Sequence, residues 1–140
     1  PDMKDEAFQQ LLTDFDQGYE DLDIPEPRFA YREEIQAIPD LAHIERQAAF
    51  FEKMQAQLAS IEREKLAAAD RLHFDHLDYE IRLNQERLAL QKAWRKAPLA
   101  AVPDNGLSQM PKGWYQYRIH FYTSVDISPE ALFQPSPPPP

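Results

Sequence analysis

The chain has 140 residues, which suffices for one domain, and it is 43% hydrophobic and 28% charged, the balance of a globular protein. No stretch approaches the ~20 apolar residues a membrane span needs, and 24 acidic against 15 basic residues leave a net charge of −9, which argues against a nucleic-acid backbone or an anionic membrane surface as the partner. With no cysteine, disulfide scaffolds, thiolate zinc sites and cysteine nucleophiles are excluded.

The first element is a helix from about Asp2 to Asp23. Phe8, Leu11, Leu12, Phe15, Tyr19 and Leu22 recur at spacings of three and four and so share one face. Asp5 and Glu6 complement the dipole of its first turn, whereas Gly18 weakens it by about 1 kcal/mol relative to Ala. Ile24-Pro25-Glu26-Pro27 ends it, because each proline biases the preceding residue away from helical dihedrals. Arg28 to Ile38 reads as irregular or as a short extra helix. Pro39-Asp40 marks a new start, with Asp40 as N-cap.

A second long helix is expected from Leu41 to Arg63, with Leu41, Ile44, Ala48, Phe51, Leu58 and Ile61 on a near-heptad seam, Met54 beside it and Gln55 interrupting it. A third is expected from Leu66 to Lys96. Leu72, Phe74, Leu77, Ile81, Leu88 and Trp94 carry its apolar faces, widened by Tyr79, Leu83 and Leu90, enough to touch more than one neighbour. No Pro or Gly interrupts residues 40–97, and the polar, alanine-rich patch Glu62 to Asp70 supplies the turn of an antiparallel hairpin. A continuous rod is the alternative, disfavoured because it leaves two apolar faces uncovered.

Pro98 to Gly113 carries turn chemistry at close spacing and reads as a loop. The aromatic-rich stretch Trp114 to Tyr122 breaks strict alternation and reads as a short buried helix, with a strand as the alternative. Ser128-Pro129-Glu130 is a helix-start signal, yet it soon meets Pro135-Ser136-Pro137 and three further prolines, which cannot continue a helix. The expectation is a helical unit over 1–134 whose natural continuation is missing, followed by a proline-rich tail over 135–140. A chain starting at Pro1 rather than Met fits a processed form or a fragment. The tail would adopt polyproline II and could serve as a ligand for an aromatic-lined groove.

Chemistry-bearing residues are sparse. His73 and His76 lie three apart, and His76 with Glu80 at i, i+4 could share a metal with His73; a solvated, charge-paired helix face is the plainer reading. No His-Glu-x-x-His is present: Phe74 follows His73, and Gln47 stands four beyond His43. His120 among aromatics fits a satisfied, partly buried imidazole better than a catalytic base. Ser108, Ser124 and Ser128 lack a nucleophile-elbow context, and Gly18, Gly106 and Gly113 make no phosphate loop. The acidic pairs Glu33–Glu34 and Asp75–Asp78 fit a solvated face better than an acid and a base. No catalytic, cofactor-binding or metal-binding residue is assigned.

Asp70-Arg71-Leu72-His73-Phe74-Asp75-His76-Leu77-Asp78-Tyr79-Glu80, running on to Lys92-Ala93-Trp94, resembles the N-terminal helical hairpin of the bacterial family catalogued as domain of unknown function eight-eight-five. Gly106-Leu107 through Gly113-Trp114-Tyr115, then Tyr122-Thr123 and Ser128-Pro129-Glu130-Ala131-Leu132-Phe133, resembles the stretch that follows in a shorter branch. The resemblance spans roughly residues 5–134. It implies an all-α, N-terminal, non-catalytic part of a zincin-like metallopeptidase that walls the substrate cleft. The zinc motif of such a parent lies far toward its C-terminus, so zinc is expected there and none in this chain, and the location implied is exported or periplasmic. On that reading the isolated chain is inactive, and Trp114, Tyr115, Tyr117, Phe121 and Tyr122 face the rest of the enzyme or drive self-association. The rival is a free-standing helical interaction module, binding a partner helix through the Leu41–Lys96 hairpin and a second protein through the proline tail.

Overall fold

The computed structural model describes residues 5–25, 31–97 and 112–123, and among them there are helices and no strand. The elements are α1 (Glu6–Asp21), α2 (Tyr31–Gln36), α3 (Leu41–Ala59), a single 3-10 turn (Arg63–Lys65), α4 (Ala68–Lys96) and α5 (Lys112–Thr123). The fold is all-α: an antiparallel α3–α4 hairpin with α1 on one flank and the aromatic-rich α5 packed on α4. The strand alternative for 114–122 is thereby set aside, and α5 begins two residues earlier than expected. The rest of the 98–113 loop, the start signal at Ser128 and the proline run lie outside the described residues.

Local chemistry sets the helix ends. The Asp5 carboxylate accepts from Phe8 N (3.1 Å) and that of Asp40 from His43 N (2.8 Å), each supplying an acceptor for a first-turn amide that the helix itself cannot satisfy. α1 stops before the prolines act. Leu22 is its C-cap, and Asp23 then turns left-handed at φ 51°, the position after a helix that glycine most often fills. The hairpin turn is pinned by Arg63, whose Nε and Nη2 donate to the two oxygens of Asp75 at 2.8 and 2.7 Å. That guanidinium holds the Asp75 carboxyl below its ordinary range.

The seam between α3 and α4 follows heptad spacing on both sides. Ile44, Gln47, Phe51, Met54 and Leu58 are buried on α3, opposite Leu77, Ile81, Asn84, Leu88 and Gln91 on α4. Met54 occupies the register assigned to Gln55, which is exposed. Leu72, expected on an apolar face, is 71% exposed. Full burial of Phe51, Ile44 and Ile81 contributes about 1.5–3 kcal/mol each. The linker before α3 is tied to the far end of the hairpin by Arg95, which donates to the carbonyls of Pro39 (2.7 Å) and Ile38 (2.5 Å).

α1 docks through Phe8, Leu11 and Phe15, with the Phe15 ring 5.8 Å from Phe50 and 6.2 Å from Phe51. Gly18 is required by that docking: a Cβ there would collide with the Phe50 ring. The contact outweighs the loss of helix propensity. Gly18→Ala is therefore expected to destabilise the chain by about 1–3 kcal/mol, although the same change on an open helix face stabilises by about 1 kcal/mol. Urea unfolding decides between the two, and a more stable Gly18→Ala chain would mean that Phe50 does not rest on α1.

Candidate functional site

One end of the α3–α4 seam is polar. Arg87, only 5% exposed, donates from Nη2 to Gln47 Oε1 (2.8 Å) and Asn84 Oδ1 (3.1 Å) and from Nη1 to Gln91 Oε1 (3.2 Å). Asn84 is fixed in turn by donating from Nδ2 to Glu80 O (2.8 Å). A guanidinium can only donate, so all three amides must present oxygen to it. Among the described residues no carboxylate lies within ion-pair distance of Arg87. Burial pushes its acidity up, that is, its pKa down, opposed by Tyr117, Tyr19 and the buried Glu34 of α2.

Arg87, Gln47 and Gln91 of this cage line a cavity of about 160 Å³ between the end of α1, α2 and the hairpin. Asp23, Glu34 and His43 line it as well; His43 Nδ1 faces Arg46 Nη2 at 2.9 Å. The left-handed Asp23 thus sits beside the cavity, in a backbone conformation that costs a non-glycine residue about 1 kcal/mol or more.

A second polar cluster joins α5 to α4. His120 Nδ1 donates to Glu86, 2.8 Å from Oε2 and 3.0 Å from Oε1, and the Tyr79 hydroxyl donates to the His120 carbonyl at 2.7 Å. Arg82 lies over the Tyr79 ring at 5.8 Å, and the three α4 side chains border a small recess of about 60 Å³. His120 is 7% exposed and acts through Nδ1 as a pin for α5. Below it Trp114 and Tyr117 are buried, 6.5 Å apart and edge to face, and burial pushes the Tyr117 phenol well above its ordinary range. The aromatic stretch therefore divides: Trp114 and Tyr117 belong to this domain's own core, Tyr115 is half-buried, and Phe121 (37%) and Tyr122 (58%) remain on the surface with ring centroids 5.2 Å apart.

The histidines singled out for a metal stay apart. His73 and His76 are exposed, His76 Nε2 is 3.7 Å from Glu80 Oε2, and among the described residues no three His, Asp or Glu side chains converge on one point. Burial raises the Glu80 carboxyl above its ordinary range, partly offset by His76. Asp75 and Asp78 each hold an arginine, Arg63 and Arg82, instead of lining a cleft. Of the Glu33–Glu34 pair, Glu34 points inward and Glu33 is exposed. Sequence reading did not find the Arg87 cage. Its signal was present, because Gln47, Asn84 and Gln91 occupy seam positions of their helices and only a shared polar partner makes three buried amides compatible there.

Neither a protein-family model, nor a curated protein, nor a solved structure matches the chain.

If Glu86 fastens α5, Glu86→Ala leaves the hairpin folded but lets the amides of 112–123 exchange roughly 10-fold faster, the loss expected for one charge-assisted hydrogen bond. Exchange at unchanged rates would show that Trp114 and Tyr117 hold α5 without it.

Proposed function

We propose that this chain is the N-terminal, non-catalytic helical part of a zincin-like metallopeptidase of the domain-of-unknown-function family eight-eight-five, where it walls the substrate cleft and packs against the catalytic helices. Two things support the reading. The first is the resemblance of residues 70–94 and 106–133 to that part of the family. The second, which carries it structurally, is α5: its inward face is consumed by the domain's own core while Phe121 and Tyr122 stand outside, adjacent and apolar, at its C-terminal end. On this reading the pair is the point of contact with the rest of the enzyme. Zinc belongs to the complete parent on this proposal, and the catalytic residues are supplied by sequence outside the 140 residues.

The test starts with the gene. An open frame continuing beyond Phe133 to a His-Glu-x-x-His, whose full product hydrolyses peptides in a chelator-sensitive way while residues 1–134 alone do not, is the expected result. A stop codon directly after Pro140 would overturn the proposal and favour the interaction module. Within the isolated chain, Phe121→Ser with Tyr122→Ser should change stability by no more than about 0.5 kcal/mol and abolish concentration-dependent self-association in sedimentation. Self-association that survives the double substitution would remove α5 as the contact surface.

A further inference from the structure

A larger opening lies elsewhere on the hairpin. It is a groove of about 440 Å³ lined by residues of α3 and α4 alone. On α3 it runs along the flank away from α1. Phe50, which meets Phe15 of α1, and Glu52, which lines the groove, lie about 100° to either side of the seam residue Phe51. The two large apolar residues in the lining, Ile44 and Leu88, belong to the seam and are 1% and 4% exposed. The other apolar ones, Ala48 and Ala89, end at Cβ and let a further helix come close.

The polar lining residues repeat at heptad spacing. Glu45 and Glu52 on α3, like Gln85 and Lys92 on α4, are seven apart, so each pair shares one flank of its helix. In a coiled coil such flanking positions meet the incoming helix and select it by charge. Gln85 is spent on Gln55 (3.1 Å) at the end nearest the hairpin turn. Glu45, Glu52 and Lys92 are exposed and make no hydrogen bond or ion pair among the described residues. The size points to a helix. Glu45 and Gln55 lie about 15 Å apart along α3, or about three turns. A cavity of ~150 Å³ takes benzene, so about 440 Å³ has room for about three large apolar side chains, as an amphipathic helix presents at i, i+4 and i+7. A second copy of the chain is a poor occupant: its own groove offers alanines where large side chains are needed, and it brings a further net charge of −9.

We propose that this groove docks one amphipathic helix of a separate polypeptide, its large apolar residues between α3 and α4, Lys or Arg at heptad spacing against Glu45 and Glu52, and an acidic residue against Lys92. The groove needs only the hairpin and does not depend on the identity of the parent enzyme.

The test uses the whole 140-residue chain and helical peptides with Leu at i, i+4 and i+7, followed by fluorescence anisotropy at about 0.15 M salt, where long-range attraction is screened. The first peptide carries Lys at heptad spacing on one flank and Glu on the other, the second carries Glu on both, and the third scrambles the first. The first is expected to bind saturably, and the other two at least about 10-fold more weakly. Glu45→Lys with Glu52→Lys should reverse the preference between the first two. Glu20→Lys with Asp21→Lys, the same change of net charge placed on α1, should leave it unaltered. Equal binding of the scrambled peptide, or a preference that Glu45→Lys with Glu52→Lys does not move, overturns the proposal. So does a dimer of the unaltered chain that this variant abolishes, since a second copy then fills the groove. Should the variant fail to fold, the three peptides on the unaltered chain decide alone.

Discussion

A guanidinium placed among packed helices depends on protein oxygens for its hydrogen bonds, because burial has removed most of its water. Arg87 is so placed, and three amide side chains from two helices meet it. Gln47 can reach Arg87 only if α3 and α4 run antiparallel in one register; a slip by one turn in either direction would bury the charge without that oxygen. The apolar layers of the seam, from Ile44 to Leu58 and from Leu77 to Leu88, supply the bulk of the attraction, but layers of similar size tolerate slippage. The polar layer distinguishes one register from its neighbours. A cavity lined by Gln47, Arg87 and Gln91 lies beside that layer.

The other elements are arranged around this hairpin by fewer contacts. Arg95 reaches the carbonyls of Ile38 and Pro39 and so brings α2, with the buried Glu34, over the cavity. α1 approaches closely because Gly18 offers the Phe50 ring bare backbone. α5 is fastened at its end by His120 on Glu86 and by Tyr79 on the His120 carbonyl, and is filled beneath by Trp114 and Tyr117. On α5 the apolar pair Phe121 and Tyr122 remains outside, and the proposal makes it the contact with the remainder of an enzyme. The aromatic pair lies on α5 and the charged cavity between α2 and the hairpin.

The helices were legible because their apolar residues recur at three and four, and because Asp40 and the polar patch at 62–70 are local signals that tertiary structure had no reason to override. The hairpin was legible for a related reason, since two apolar faces in one uninterrupted span must find one another. The polar layer was not. A search for apolar residues at seam positions passes over Gln47, Asn84 and Gln91, puts the seam at position 55 instead of Met54, and admits Leu72, which the fold leaves outside. The inside and outside of α5 could not be separated either: its five aromatics share one broad side of the helix, and only the position of α4 determines which of them are buried. The cavity depends on Glu34 and Arg87, 53 positions apart, and no local pattern joins them.

The dependence of the hairpin on its polar layer is tested most directly by a double-mutant cycle. Urea unfolding at pH 7 would compare the unaltered chain with Arg87→Met, Gln47→Leu and the two combined. Each single change strands a buried partner, so each should lose about 2–3 kcal/mol, and the combination should lose at least about 1 kcal/mol less than their sum. Strictly additive losses, or an Arg87→Met chain as stable as the original, would contradict the register-setting role of the Arg87 cage.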